Sequence, residues 1–175
     1  IWGAQLEAGT LTDYQRVGTD KMTVMAGVRR KSNAVIGILF EMSTNVGSNN
    51  GVLVAYTPND TLEDKILFAS KGTTSRLVES NSLGTPSTFI FAGTSDISGD
   101  LVGLRVNGVG LTSNTSDQGS GNYGNHILYI GRRAGTSLPF NGILYTLIIR
   151  GATTPTGTIA DFEKNLLARR AGLLI

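Results

Sequence analysis

Apolar residues along this chain fall in short runs, most with a period of two, separated by polar, glycine-rich stretches. Lys21 to Arg30 alternates most cleanly: Met22, Val24, Ala26 and Val28 share one face, and Thr23, Met25, Gly27 and Arg29 the other. Alternation of that kind predicts a half-buried strand. Ala34 to Glu41 follows as a second strand, apolar on both faces, and the link Arg30 to Asn33 is of hairpin length. Ser43 to Gly51 is a turn, and Val52 to Tyr56 is strand-like until Pro58-Asn59-Asp60 breaks it. Thr61 to Asp64 is loop. Ile66 to Ala69, Ser75 to Glu79, Ser87 to Ala92 and Leu101 to Val106 are further strand candidates, with a turn over Ser95 to Gly99. Asn107-Gly108 between apolar runs predicts a type I′ hairpin, because both residues tolerate positive φ, with Val109 to Leu111 returning antiparallel.

The stretch Gly119 to Gly151 combines a polar loop, a short strand ending in Arg132-Arg133, and the longest β-favouring run of the chain. Ile127 to Ile130 and Ile143 to Ile149 are apolar on both faces. Such strands are ordinarily covered on both sides or central in a sheet, so the two are expected to form a core hairpin. The loop ahead of them, Thr112 to Asn125, is polar and long for a compact domain, as functional loops are. After Gly151 the period changes. Ile159, Phe162, Leu166 and Leu167 recur at helical spacing, Thr158 with Asp161 resembles a capping box, and Gly172 can end the helix. Ile1 to Glu7, which holds the only Trp (Trp2), reads as a short strand packing on the sandwich or on a preceding domain, and Gly9 to Asp20 as a polar connection. About ten or eleven short strands closed by one helix predict an all-β, two-sheet antiparallel sandwich in a single domain.

Composition narrows the functional classes. A formal charge of +2 over 175 residues is too small for a nucleic-acid binder. The basic groups Arg29-Arg30-Lys31, Arg132-Arg133 and Arg169-Arg170 read as solvated element ends. There is no cysteine, hence no disulfide framework and no thiolate chemistry. No apolar run approaches the roughly 18 residues of a membrane span. The chain starts Ile-Trp-Gly, without an initiator Met, and reads as part of a longer protein.

Four segments carry a resemblance: MTVMAGVRR (22–30), GDLVGLRVNGV (99–109), LYIGRR (128–133) and LPFNGILYTLIIRG (138–151). Together they resemble the laminin G-like, concanavalin A-like jelly roll, in which an Asn-Gly turn, an "hxIGxx" strand and a Phe-x-Gly strand entry follow in that order. The opening WGAQLEAGTLTDYQRV, the loop DQGSGNYGN (117–125) and the helix running into RRAG are similar to C-terminal domains of bacteriophage tail and virion-associated proteins. The resemblance implies a jelly-roll sandwich located on a phage particle, or encoded by a prophage. It also implies contacts with other virion or tail subunits, including a homotrimer; that no membrane insertion is expected follows from the apolar run lengths above.

The same superfamily contains glycoside hydrolases, which place paired carboxylates on alternate positions of one strand. No such pair occurs here: Glu63-Asp64 are adjacent, and Glu79, Asp96 and Asp100 stand alone. His126 is the single histidine, with no Gly-x-Ser-x-Gly elbow to serve it, and GSGNYG does not open a helix. Lectin-like sandwiches bind Ca2+ in rim loops, and here Asp117 with Asn114, Asn122 and Asn125, or Asn49-Asn50 with Asp60, could supply oxygens. The same residues in loops also make Asx turns. Sugar binding calls for an aromatic face and planar polar groups. Tyr123, flanked by Asn122 and Asn125, supplies them, with Asp117, Arg132 or Arg133, and Asn141 nearby; Tyr56 beside Asn59 and Asp60 is a second choice. Tyr123 reads equally as a residue pinning its loop to the sandwich, and Arg132 and Arg133 point to opposite faces if the strand continues. The reading that results is a non-catalytic module binding host-surface glycan. The alternatives are a structural or oligomerisation module of a phage particle and, third, a glycan hydrolase.

Overall fold

A computed structural model describes residues 19–59 and 64–164 of the chain. Ten strands build two five-stranded sheets, all pairs antiparallel. In chain order they are β1 (Lys21–Arg30), β2 (Gly37–Met42), β3 (Val52–Thr57), β4 (Leu67–Lys71), β5 (Ser75–Glu79), β6 (Ser87–Asp96), β7 (Leu101–Val106), β8 (Val109–Asn114), β9 (Leu128–Ile130) and β10 (Gly142–Arg150); α1 (Thr156–Phe162) follows. Sheet A has the order β10-β1-β6-β7-β8 and sheet B the order β5-β4-β3-β2-β9.

The period-two pattern decides which residues meet between the sheets. Val24, Ala26 and Val28 of β1 and Phe89 and Phe91 of β6 face Phe40, Leu53, Ala55 and Phe68 of sheet B in one buried cluster. Each sheet also carries apolar residues on its outer face. Met25, Ile90 and Ala92 of sheet A are covered by Ile159 of α1. Ile38, Val54 and Ala69 of sheet B are flanked by Val46, Tyr56 and Leu138. Burial on both faces explains why Met25, Ile38 and Val54 break strict alternation. The Asn107-Gly108 turn forms as expected, with φ of 52° and 73°, and returns Val109 opposite Val106.

Four expectations are corrected. Arg30 to Asn33 is not a hairpin link: β1 lies in sheet A and β2 in sheet B, so the chain crosses between sheets there. Ile127–Ile130 and Ile143–Ile149 are not a core hairpin but edge strands of different sheets, and their apolar second faces stay partly open. Strand β6 runs on to Asp96, through the start of the expected turn, because β1 and β7 pair with it along that length. The helix begins at Thr156 with Pro155 at its N-cap and no side-chain cap, so Thr158 and Asp161 form no capping box. Leu166, Leu167 and Gly172, and the strand expected over Ile1 to Glu7, lie outside the described residues.

Arg30 is the sharpest departure, since it reads in sequence as a solvated strand end and is fully buried in the structure. Its Nη2 donates to the carbonyls of Asp64 and Gly84 (2.9 and 2.8 Å), and Nη1 to that of Lys65 (3.2 Å). The Asp64 carboxylate lies 3.2 Å from Nη2 and also accepts from Asn33 and Thr85. One guanidinium thus ties the end of β1 to both loops that flank β4 and β5. Replacing Arg30 with Met should cost about 3–5 kcal/mol of unfolding free energy, because a carboxylate and several carbonyls lose their buried partner. Arg30→Lys should recover only part of it, since an ammonium cannot reproduce the fork. Urea denaturation of the two variants measures both effects; equal and small losses would contradict this role.

Candidate functional site

The segment 115–127 leaves β8 at one edge of sheet A and enters β9 at the far edge of sheet B, so it crosses the end of the sandwich. It is held closely throughout. Thr74 N donates to Gln118 O, Gly124 N to Gly51 O and Tyr123 N to Thr19 O, at 2.8–2.9 Å. Gly51 and Gly72 make the approach possible: a Cβ at either would fall 2.2 Å from Asn122 O or 2.6 Å from Gln118 O. Gln118 is fully buried, with Nε2 on Asp96 O.

Tyr123 is the centre of this crossing. Its ring belongs to the inter-sheet core and is 6% exposed. Its hydroxyl contacts Ser70 of sheet B at 2.7 Å and Ser95 of sheet A at 2.5 Å, and the two serines are 2.7 Å apart. Three hydroxyls each give one hydrogen bond and take one, closing a buried ring. Burial pushes the Tyr123 phenol above its ordinary pKa, with its hydrogen bonds to Ser70 and Ser95 opposing. This corrects the sugar-stacking role: a ring packed between two sheets has no face for a pyranose, and the loop-pinning alternative is the one realised.

The other expected residues do not converge. Asn122 and Asn125 are exposed on the crossing loop beside Gly51, at the start of β3. Arg132 and Asn141 lie on the β9–β10 connection, where Asn141 O accepts from Lys31. The length of β3, about 17 Å, separates the two groups. Arg132 is exposed and, among the described residues, donates to Gly135 O alone (3.3 Å). Asp117 turns Oδ1 onto Gly119 N (2.6 Å), and Asn114 turns its own onto Ser116 N (2.9 Å). These are separate Asx turns, and they do not compose a calcium cradle. Among the described residues no three His, Cys, Asp or Glu side chains are grouped to hold a metal ion. Asn49 spends its amide on Thr44 and Asn45, and Asp60 lies outside the described residues.

A more coherent constellation sits on the outer face of sheet B. The register sets Glu41 between Val54 of β3 and Tyr129 of β9. Glu41 is fully buried; its Oε1 accepts Val46 N (2.7 Å) and its Oε2 accepts Arg133 Nε (2.7 Å). Because Nε makes that bond, the Nη1–Nη2 edge of Arg133 is left without a partner among the described residues. Tyr56 stands on the same face, half-buried. Burial raises its pKa, while the nearby Arg133 charge lowers it and Glu79 raises it. Two connections frame this face. At one end Val46 packs on it, with the carbonyls of Val46 and Gly47 held by Lys71 Nζ; at the other, Leu138 packs on it and Ile38 N bonds Leu138 O.

Sequence reasoning named Tyr56 and Arg133 but missed Glu41 and Tyr129. The available signal was the acid itself: Glu41 lies inside the apolar run GILFEM, and a buried carboxylate demands a cation. Glu41 and Glu79, two acids of sheet B, are three strand spacings apart, about 14 Å, too far to act as a glycosidase pair.

No family model matches the sequence, and no curated protein matches it. Solved structures do. The chain is similar to the Ruminococcus gnavus IT-sialidase CBM40 bound to alpha2,3 sialyllactose, at 14% identity and a TM-score of 0.64 over 83% of each chain. A native heptameric SAP-like pentraxin from Limulus polyphemus aligns at 11% identity and 0.59, over 83% of this chain and 70% of that one. The NanB sialidase of Streptococcus pneumoniae aligns at 16% and 0.63, over 81% of this chain and 23% of the enzyme. At such identities the likeness is one of fold, that of the concanavalin A-like sandwich.

Tyr123→Phe should retain the fold and lower unfolding free energy by about 1–2 kcal/mol, because two buried serine hydroxyls lose a shared partner. The phenol also sets an alkaline limit. The folded pKa is raised, so this contribution is whole below the unfolded value of about 10 and is lost as pH rises beyond it. The alkaline loss of stability, followed by denaturation at stepped pH, should be smaller in Tyr123→Phe than in the parent.

Proposed function

We propose that the chain is a non-catalytic carbohydrate-binding module and that it binds through the outer face of sheet B. The carrying observation is the Arg133 guanidinium, bonded through Nε to the buried Glu41, with no partner for its paired Nη groups among the described residues, on the face that also carries Tyr56 and Tyr129. A planar fork of donors matches vicinal hydroxyls or a carboxylate of a sugar, and tyrosine rings supply apolar faces for its C–H side. The Ruminococcus gnavus module, solved with alpha2,3 and with alpha2,6 sialyllactose, lends support through its fold. A host-surface glycan as ligand and a phage tail or virion as the setting follow from the flanking sequence resemblance. They are part of the same proposal.

A glycan array probed with the parent chain should return a defined set of oligosaccharides. Arg133→Ala should weaken binding to them by about ten- to a hundredfold, the loss of hydrogen bonds from a charged donor. Tyr56→Ala should weaken it as well, and Tyr123→Phe should leave it unchanged. Binding that survives both Arg133→Ala and Tyr56→Ala places the ligand elsewhere; an array with no binding removes the carbohydrate reading.

A further inference from the structure

The outer face of sheet A carries a crevice of about 150 Å³, on the opposite side of the sandwich from Arg133. Its floor is Thr94 of β6 with Leu101 and Arg105 of β7, and its wall is Thr153, Thr156 and Ile159. The register sets Arg105 opposite Ala92 and Leu101 opposite Asp96, so both share the face that Ala92 presents to α1. The wall is fixed at both ends. Thr23 Oγ1 donates to Ala152 O (2.7 Å) and accepts from Thr154 N (3.0 Å), which anchors the start of the segment on β1. Further on, Ile159 packs against Met25, Ile90 and Ala92, and Glu163 Oε2 accepts from Arg105 Nη2 (3.2 Å). The crevice is thus built into the fold, as small-molecule sites usually are.

Size, charge and unpaired groups restrict what it can hold. A cavity of this volume admits a benzene-sized group, roughly six heavy atoms, so it takes one substituent of a larger molecule and not a whole sugar ring. The charges around it balance: Asp20, Asp96 and Glu163 offset Lys21, Arg105 and Arg150. An ion would find no excess of opposite charge there, and a neutral group suits it better. Thr94, Thr153 and Thr156 have hydroxyls without a partner among the described residues. Of the Arg105 nitrogens, Nη2 is bonded and Nε is buried, and Nη1 is unpaired among the described residues. An acetamido group meets each condition. It is neutral, its carbonyl accepts from a guanidinium N–H, its own N–H donates to a hydroxyl, and its methyl takes apolar contact.

We propose that this crevice is a second carbohydrate subsite, one that takes the N-acetyl group of a hexosamine. The acetamido carbonyl accepts from Arg105 Nη1, its N–H donates to a threonine hydroxyl of the rim, and its methyl lies against Leu101 and Ile159. The subsite is independent of the outer face of sheet B. A chain with both would hold a glycan at two points, and two linked contacts retain it far better than either alone.

Amide NMR of the isotopically labelled full chain, titrated with N-acetylglucosamine and separately with glucose, tests this. N-acetylglucosamine should shift signals of residues 94–105 and 153–159, saturating in the millimolar range that so few contacts allow, and glucose should leave them in place. Leu101→Gln and Thr156→Ala should each weaken the apparent affinity several-fold, and Arg133→Ala, on the other sheet, should leave it unchanged. If Leu101→Gln fails to fold, the exposed Thr156→Ala and the comparison of the two sugars on the unmodified chain decide. Equal shifts with both sugars, or none with N-acetylglucosamine, overturn the proposal. So does acetate that shifts the same signals as strongly, which assigns the crevice to an anion. Shifts lost in Arg133→Ala place the sugar on sheet B and overturn it as well, whereas shifts that persist there support it even if the sheet B face binds no glycan.

Discussion

Apolar contact between two sheets is strong but non-directional, so by itself it leaves their relative offset loosely set. The ring of Ser70, Ser95 and Tyr123 hydroxyls sets it here. Ser70 comes from sheet B and Ser95 from sheet A, while Tyr123 comes from the chain that joins their opposite edges. Any slip of one strand against another would strand a buried hydroxyl, at a cost comparable to a fair part of a domain's stability. The path of the crossing loop follows from the same ring. On either side of Tyr123, Gln118 and Gly124 are held by bonds to Thr74 and Gly51, and the chain then enters β9 in register with β2.

A second polar pair has a different character. Glu41 and Arg133 neutralise each other on the outer face of sheet B, where Ile38, Val54 and Ala69 already provide an apolar floor. An apolar residue at position 41 would serve stability at least as well, because a buried carboxylate loses hydration that its partner only partly restores. What the pair does fix is the Arg133 guanidinium, held by its Nε at 2.7 Å from Glu41 Oε2. The glycine-rich loop is therefore a structural element, and the Glu41–Arg133 pair belongs to the plainer face of sheet B.

Strand identity was largely legible in the sequence, because period two and the Asn107-Gly108 turn are local signals. Sheet membership was not. The residues between Arg30 and Asn33 have the length of a hairpin, yet Arg30 is buried against the Asp64 and Gly84 loops and β2 lies in the other sheet. The same limit governed the site. Tyr123 in a run of Asn and Gly has the composition of a sugar-binding loop, and its burial depends on Ser70 and Ser95, 53 and 28 residues away. Glu41 lay in plain view but acquires meaning only beside Arg133, 92 residues later. Edge strands deceived for a related reason: Leu128 and Ile130 are as apolar as core residues whether or not anything lies across them.

The register that sets Thr23 opposite Arg150 has a consequence for the order in which the molecule is made. Strand β1 is the first described strand to be synthesised, and one of its two neighbours, β10, is the last. While the intervening strands emerge, β1 keeps a long apolar edge with nothing to pair with, the kind of edge that recruits other chains. Sheet A therefore completes only after synthesis has passed residue 150, through a closure that spans most of the described chain. Topologies dominated by such distant pairings fold slowly for their size, and the hydroxyl ring, which needs both sheets and the crossing loop in place, belongs to the late side of that process.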